Sequence, residues 1–137
     1  MLFRSIDLVV RGMCSLRPGL EGLSENIRVI SVIGRFLEHS RLFWFGNGGD
    51  DEVFIGSADW MPRNLDRRVE AVAPIEDPRL KVQLQKLMDL YLRDSRAWHM
   101  QSDGHYCQQL PEGEELLVQS RMMRLWRGGL KPTNSDT

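Results

Sequence analysis

The chain has 137 residues and a formal net charge of −1, with 42% hydrophobic and 27% charged residues. This composition is that of a soluble globular domain with enough apolar side chains to form a core, and the charge excludes a chain-wide basic surface for nucleic acid. The two cysteines form no C-x-x-C or other metal-ligand pattern. Charged residues interrupt the apolar run near the N-terminus, so we predict neither a signal peptide nor a membrane span and expect a cytoplasmic protein.

Apolar and β-branched runs predict five strands, near residues 6–11, 28–33, 41–46, 52–57 and 68–74. The first is expected to be buried, with Arg11 and Gly12 at its carboxyl end, where α/β proteins bind ligands. Residues 46–50, Gly-Asn-Gly-Gly-Asp, predict a hairpin turn between two of the strands. Because the chain starts almost directly on a core strand, we expect it to be a domain of a larger protein.

Helices are predicted over residues 33–39, 78–94 and 113–127. The second is the longest, since Asp77 provides a cap, Pro78 suits the first turn, and an apolar stripe follows. The stretch from Trp98 to Tyr106 is expected to be irregular or to form short strands, and residues 131–137 to be disordered. These elements predict one α/β domain over residues 1–130, a mixed sheet flanked by helices.

A candidate phosphate site lies within residues 39–59. His39 and Arg41 are two positions apart, so they point the same way if the backbone is extended. Ser57 and Asp59 follow in a Gly-Ser-Ala-Asp turn. A phosphate site needs an imidazole, a fixed cation and small donors around the oxygens, and these residue types provide all three. The alternative is a surface histidine beside an ordinary polar turn.

Two further segments have the same chemistry. Arg11 beside Gly12 suits a phosphate, because a guanidinium binds oxygens bidentately and glycine permits close approach of the backbone. Asn64 and Arg67 belong to an arginine-rich segment after the Gly-Ser-Ala-Asp turn, which is equally compatible with a solvated face. Neither His99 nor His105 has other residues at metal-ligand spacing beside it, and we expect both to be structural or exposed.

Four motifs together are far more specific: R-G-M-C-S-L-R-P-G, L-S-E-N-I-R-V, F-L-E-H-S-R and I-G-S-A-D-W-M-P-R-N-L-D-R-R-V-E. They resemble the last domain of bacterial polyphosphate kinase, from about Ile6 to at least Leu92. The order of residues also resembles an H-x-K…G-S-x-N half-site of the phospholipase D superfamily, with Arg41 in place of lysine and Asp59 in place of asparagine. The resemblance therefore implies a phospholipase D-like domain.

The resemblance also implies a function, the reversible transfer of the terminal phosphate of ATP to polyphosphate. The histidine that is phosphorylated in this family belongs to an upstream domain, which would also bind magnesium, so we assign no metal ligand here. Arg11 and His39 would contact the nucleotide phosphates, and His39 would face the phosphohistidine. Arg41, Ser57, Asp59, Asn64 and Arg67 are second-rank candidates. The implied partners are ATP or ADP, polyphosphate, the upstream domains and other copies in a homo-oligomer, without nucleic acid.

Two other functions stay open. The first is a self-sufficient homodimeric phosphodiesterase of the phospholipase D type, with His39 as nucleophile; Arg41 argues against it, because those enzymes use lysine at that position. The second is a structural or assembly domain with relic site residues. If the kinase interpretation holds, we expect the isolated domain to be inactive, and Arg11, His39 and Ser57 to lie toward one rim. Asp59 would bind Arg41 or Arg63, or orient His39, because a carboxylate facing phosphate would repel it.

Overall fold

The structure, a computed structural model, describes residues 5–108, 113 and 115–127, and the side chain of residue 126 is outside that description. Within this part, seven strands and three helices follow one another in the order β1 Ile6–Val9, β2 Ile27–Ser31, β3 Leu42–Phe45, β4 Glu52–Gly56, α1 Pro62–Arg67, β5 Val72–Pro74, α2 Pro78–Leu92, β6 Trp98–Met100, β7 Tyr106–Gln108 and α3 Val118–Arg127. The predicted α/β class is confirmed. The tail at 131–137, predicted to be disordered, lies outside the described residues.

The strands form two sheets, so the predicted single mixed sheet is wrong. One sheet has four strands in the order β1-β2-β6-β7 and contains both parallel and antiparallel pairs. The other has three antiparallel strands in the order β3-β4-β5. The chain divides correspondingly into two compact units, unit 1 (Met1–Leu37 and Met88–Thr137) and unit 2 (Glu38–Leu87). The phospholipase D-like architecture and the domain limits of 1–130 stay predictions.

In unit 1 the core lies against β2. Ile30, Val32, Ala97 and Val118 are buried there, with Leu90, Tyr91, Leu92 and Met122 packed around them. Strand β1 is different: Ile6 is 46% exposed and Val9 36%, so the prediction of a buried first strand is wrong. The reason is that β1 pairs only with β2 among the described strands and therefore forms an edge of the sheet, where its side chains have neighbours on one side only.

The side chain of Asp94 caps helix α3 from a distant part of the sequence. Its Oδ2 accepts a 2.7 Å hydrogen bond from the Val118 amide, and its Oδ1 accepts one of 2.9 Å from the Arg96 amide. Ser95 binds both backbone groups of Leu116, which lies just before α3. The Ser95 amide donates to the Leu116 carbonyl, and the Ser95 hydroxyl accepts from the Leu116 amide. These contacts replace helical hydrogen bonds, so α3 begins at residue 118 rather than at the predicted 113.

The helix predicted over residues 33–39 is absent. Both backbone groups of Phe36 are instead bound by the side-chain amide of Gln119: the Phe36 amide donates to Oε1 at 2.9 Å, and Nε2 donates to the Phe36 carbonyl at 2.8 Å. A Cβ on Gly34 would collide with the same side chain, so a larger residue there would have to displace the Gln119 amide. A contact 83 residues away in sequence thus determines the backbone here.

In unit 2, strands β3 and β4 form the predicted hairpin, with Phe43 paired to Phe54. A 3-10 turn over Asn47–Gly49 joins them, and Gly48 has a φ of 70°, which favours glycine. Strand β5 covers only residues 72–74 of the predicted 68–74, because the Ala71 amide donates to the hydroxyl of Ser57 rather than to a strand. The long helix is confirmed as α2, which ends two residues before the predicted 94.

Candidate functional site

The end of the three-stranded sheet holds most of the predicted site residues. The Gly56 amide donates to the Arg41 carbonyl at 3.0 Å and thereby continues the β3–β4 ladder to Arg41. The Ser57 amide donates to the Ala71 carbonyl at 3.0 Å on the other side. A Cβ on Gly56 would lie 3.2 Å from the Val72 side chain and 3.3 Å from the Ala71 carbonyl oxygen, so glycine lets these strands approach closely at the start of the turn.

Arg41 joins His39 to Asp59. Its Nη2 and Nε donate to Asp59 Oδ1 at 2.9 and 3.1 Å, and its Nη1 contacts His39 Nδ1 at 2.6 Å and donates to the His39 carbonyl. The side chain of Arg41 is only 12% exposed and that of Asp59 29%. We call these three residues the Arg41 cluster. The structure therefore brings together side chains that the spacing of residues 39, 41 and 59 predicted to be neighbours.

The Arg41 cluster contains Asp59, the carboxylate that would repel a phosphate if it faced one. Of the partners predicted for Asp59, the structure provides Arg41, with two hydrogen bonds to one carboxylate oxygen. Such charge-assisted bonds are stronger than neutral ones. The pairing offsets the positive charge of Arg41 and directs the N–H groups of its guanidinium at Asp59 and His39.

A second cluster centres on Glu70. Its carboxylate accepts hydrogen bonds from the Ser57 hydroxyl and, at 3.2 Å, from Asn64 Nδ2, and Arg68 lies 4.0 Å away. The Ser57 hydroxyl also accepts from the Ala71 amide at 3.1 Å. These contacts tie the Gly-Ser-Ala-Asp turn to helix α1 and to the segment before β5.

Sequence reasoning missed Glu70. The sequence did contain a signal for it, because a carboxylate directly after the arginine-rich segment is a natural partner for those arginines. Asn64 is 2% exposed, and its buried Oδ1 has no hydrogen-bond partner. Arg67, by contrast, is exposed in the last turn of α1. Of the second-rank candidates, Ser57 and Asn64 thus belong to the Glu70 cluster, and Arg41 and Asp59 to the Arg41 cluster.

Trp60 provides an aromatic surface directly after Asp59. It stacks on Phe43 with ring centroids 5.5 Å apart and planes at 16°, yet 75% of its surface is exposed. The stack holds Trp60 against β3 and so fixes the backbone at the end of the Gly-Ser-Ala-Asp turn.

Arg11 lies in unit 1, in the exposed loop that follows β1. The last backbone contact before it is the hydrogen bond from the Val10 amide to the Ile30 carbonyl, at 2.8 Å. Arg11 thus stands at the carboxyl end of β1, as predicted. Because His39 belongs to unit 2, the prediction that Arg11 and His39 face one rim stays a prediction.

The other two histidines differ in their surroundings. Burial and the nearby charge of Arg28 lower the pKa of His99 below its usual value. His105 is exposed, with Nδ1 3.2 Å from Asp103 Oδ2. Among the described residues, no group of three or more His, Cys, Asp or Glu side chains is placed to hold a metal ion, and no helix is long and apolar enough to cross a membrane.

Comparison with known proteins places this geometry in context. The family described as "Polyphosphate kinase C-terminal domain 2" matches residues 4–119. A polyphosphate kinase of Parasynechococcus marenigrum is 61% identical over 128 residues, which cover 91% of this chain and 18% of that protein. One of Synechocystis is 63% identical over 111 residues, covering 80% and 15% respectively.

A solved structure agrees with the sequence comparisons. The crystal structure of polyphosphate kinase from Porphyromonas gingivalis matches with a TM-score of 0.83 and 39% identity, over 90% of this chain and 19% of that one. The chain thus spans less than a fifth of the length of each of these three proteins.

Proposed function

Since the chain belongs to the family of polyphosphate kinase C-terminal domains, we propose that it contributes one part of the site at which the terminal phosphate of ATP is transferred to polyphosphate. The observation that carries this proposal is the family match over residues 4–119, which includes both Arg11 and the Arg41 cluster. The chain spans 18% of its relative from Parasynechococcus marenigrum, and we assign the remaining parts of the site to the upstream domains of such an enzyme.

In the proposed reaction, the bond between the γ-phosphorus of ATP and its bridging oxygen breaks, and ADP leaves with that oxygen. The phosphorus bonds first to the histidine of the upstream domain and then to a terminal oxygen of polyphosphate, which releases the histidine. Such transfers depend on positioning and on compensation of the phosphate charge rather than on covalent chemistry by the protein. Arg11 is the cation we assign to the phosphates, because a guanidinium binds two oxygens at once and stays charged. We assign His39 one of two roles: it donates a hydrogen bond to the phosphoryl group, or it transfers a proton.

The contacts of the other candidates favour supporting roles. The Ser57 hydroxyl donates to Glu70 and accepts from the Ala71 amide, so we assign it to holding the turn rather than to binding phosphate. The family resemblance assigns magnesium to the upstream domains, and we propose no metal ligand in this chain. The partners we propose are ATP or ADP, polyphosphate, the upstream domains, and further copies in an oligomer; we propose a cytoplasmic location.

The phosphodiesterase alternative requires a cation that meets the substrate phosphate from the position of Arg41. Arg41 instead contacts Asp59 through Nε and Nη2 and His39 through Nη1. This observation favours the kinase function. In the phosphodiesterases a lysine at this position meets the phosphate, whereas Arg41 already contacts Asp59 and His39.

A labelling experiment separates the two functions. The chain alone, incubated with γ-labelled ATP, is expected to remain unlabelled and to make no polyphosphate, because the phosphorylated histidine is assigned to an upstream domain. Co-expression with the upstream domains should restore synthesis from ATP. Acid-labile label on His39 in the chain alone would favour the self-sufficient enzyme, and a folded, complete enzyme without synthesis would refute the proposed function.

A further inference from the structure

We infer that Arg41 and Asp59 act as positioning residues for His39: they fix its imidazole ring with Nδ1 held by the protein and Nε2–H directed outward as a hydrogen-bond donor. This inference rests on the proposed function, which gives His39 a phosphate to meet. It goes further, because it assigns which ring nitrogen faces the substrate and which residues enforce that choice.

The assignment follows from the donor chemistry of the guanidinium. Every N–H of an arginine donates, and none accepts. Arg41 Nη1 lies 2.6 Å from His39 Nδ1, so Nδ1 must accept, and the proton of the neutral ring must then reside on Nε2. The bond from the same Nη1 to the His39 carbonyl ties the backbone of His39 to the same fork. Nε2–H is therefore the donor that His39 can offer to a phosphate oxygen.

Asp59 determines where the fork of Arg41 points. Two nitrogens of the guanidinium donate to Asp59 Oδ1, and this fixes the plane of the group and hence the direction of Nη1. The arginine is largely buried, with 12% of its side chain exposed, so it has little room to turn elsewhere. A lysine at this position has a single ammonium without a planar fork, so it cannot reproduce both sets of contacts.

The direct test is nitrogen NMR of the imidazoles in this chain at mildly alkaline pH. The chain has three histidines, so assignment by single substitution is practical. We expect His39 to have an unprotonated Nδ1 that accepts a hydrogen bond. Asp59→Ala and Arg41→Lys should each move the Nδ1 resonance toward that of an unbonded ring nitrogen.

Asp103→Ala is the matched control. It also removes a carboxylate near a histidine, because Asp103 Oδ2 lies 3.2 Å from His105 Nδ1, but it should leave the His39 resonances unchanged. A proton on His39 Nδ1 in the unaltered chain would overturn the inference. So would unchanged His39 resonances in a folded Asp59→Ala chain. Neither result depends on the kinase reaction, so this test can fail while the proposed function stands.

A double-mutant cycle in the enzyme completed with the upstream domains supplies a second readout. Asp59→Ala should lower kcat by up to about a hundredfold with little change in KM, since misplacing a reacting group by about 1 Å has that effect. In a His39→Ala background the same change should have almost no further effect, because Asp59 acts through His39. Fully multiplicative losses would contradict the positioning role and give Asp59 an independent one.

Discussion

Replacing Asp94 by alanine should destabilise the fold of unit 1. Asp94 is 9% exposed and accepts two hydrogen bonds, one from the buried amide of Val118 at the start of α3 and one from Arg96. A hydrogen bond to a charged group contributes about 1.5–3 kcal/mol, and a buried amide without a partner is costly. The Arg96 amide is less buried and can bind water, so we expect a total loss of about 3 kcal/mol in the free energy of unfolding.

Thermal and denaturant unfolding of the chain measure this loss. With an unfolding entropy of about 2.1 cal/mol/K per residue, a loss of about 3 kcal/mol lowers Tm by about 10 °C. Asp94→Asn should also destabilise, because its single carbonyl oxygen can accept from only one of the two amides.

Asp103→Ala is again the control, since Asp103 accepts the backbone amide of His105 as Asp94 accepts that of Arg96 but lies at an exposed position. Its variant should unfold like the unaltered chain. An Asp94→Ala chain whose stability lies within about 0.5 kcal/mol of the original, the range of ordinary surface changes, would refute the capping argument.

Other perturbations test separate parts of the structure. Folding lowers the pKa of His99, so the unfolded chain binds the proton more readily. The contribution of His99 to the free energy of unfolding should therefore be fully present above about pH 6.5 and decline as the pH falls below that value. His99→Gln should flatten this decline in denaturant titrations. Ser57→Ala removes the bond to Glu70 and should lower Tm, while leaving the KM for ATP in the completed enzyme nearly unchanged; a large rise in KM would assign Ser57 to the phosphates. Arg11→Ala should reduce kcat about a hundred- to a thousandfold, and Arg11→Lys should recover only part of it, whereas equal recovery would show that charge alone suffices.

Local signals predicted the elements whose determinants are local. Asp77 and Pro78 with the apolar stripe gave α2 to within two residues, and the glycines at 46–49 gave the β3–β4 hairpin. The helix expected over residues 33–39 failed because its backbone groups are bound by Gln119, far along the chain. No pattern within seven residues contains that information.

The site divides in the same way. The two-residue spacing of His39 and Arg41 and the Gly-Ser-Ala-Asp turn predicted a cluster, and the structure pairs Asp59 with Arg41, one of the alternatives expected for it. Glu70 was missed because its two donors, Ser57 and Asn64, meet it only after α1 has folded back toward β5. The exposure of β1 was missed because its sequence is the same whether the strand is central or at an edge.

The central claim is that this domain supplies His39 to the polyphosphate kinase site, and ATP-dependent polyphosphate synthesis tests it most directly. The domain should be co-expressed with the upstream domains in three forms: unaltered, His39→Ala and His105→Ala. We expect vigorous synthesis with the first and third and a loss of at least about a hundredfold with the second, as for removal of a preorganised group that meets the reacting phosphate. Near-normal synthesis by a correctly folded His39→Ala enzyme would contradict the account.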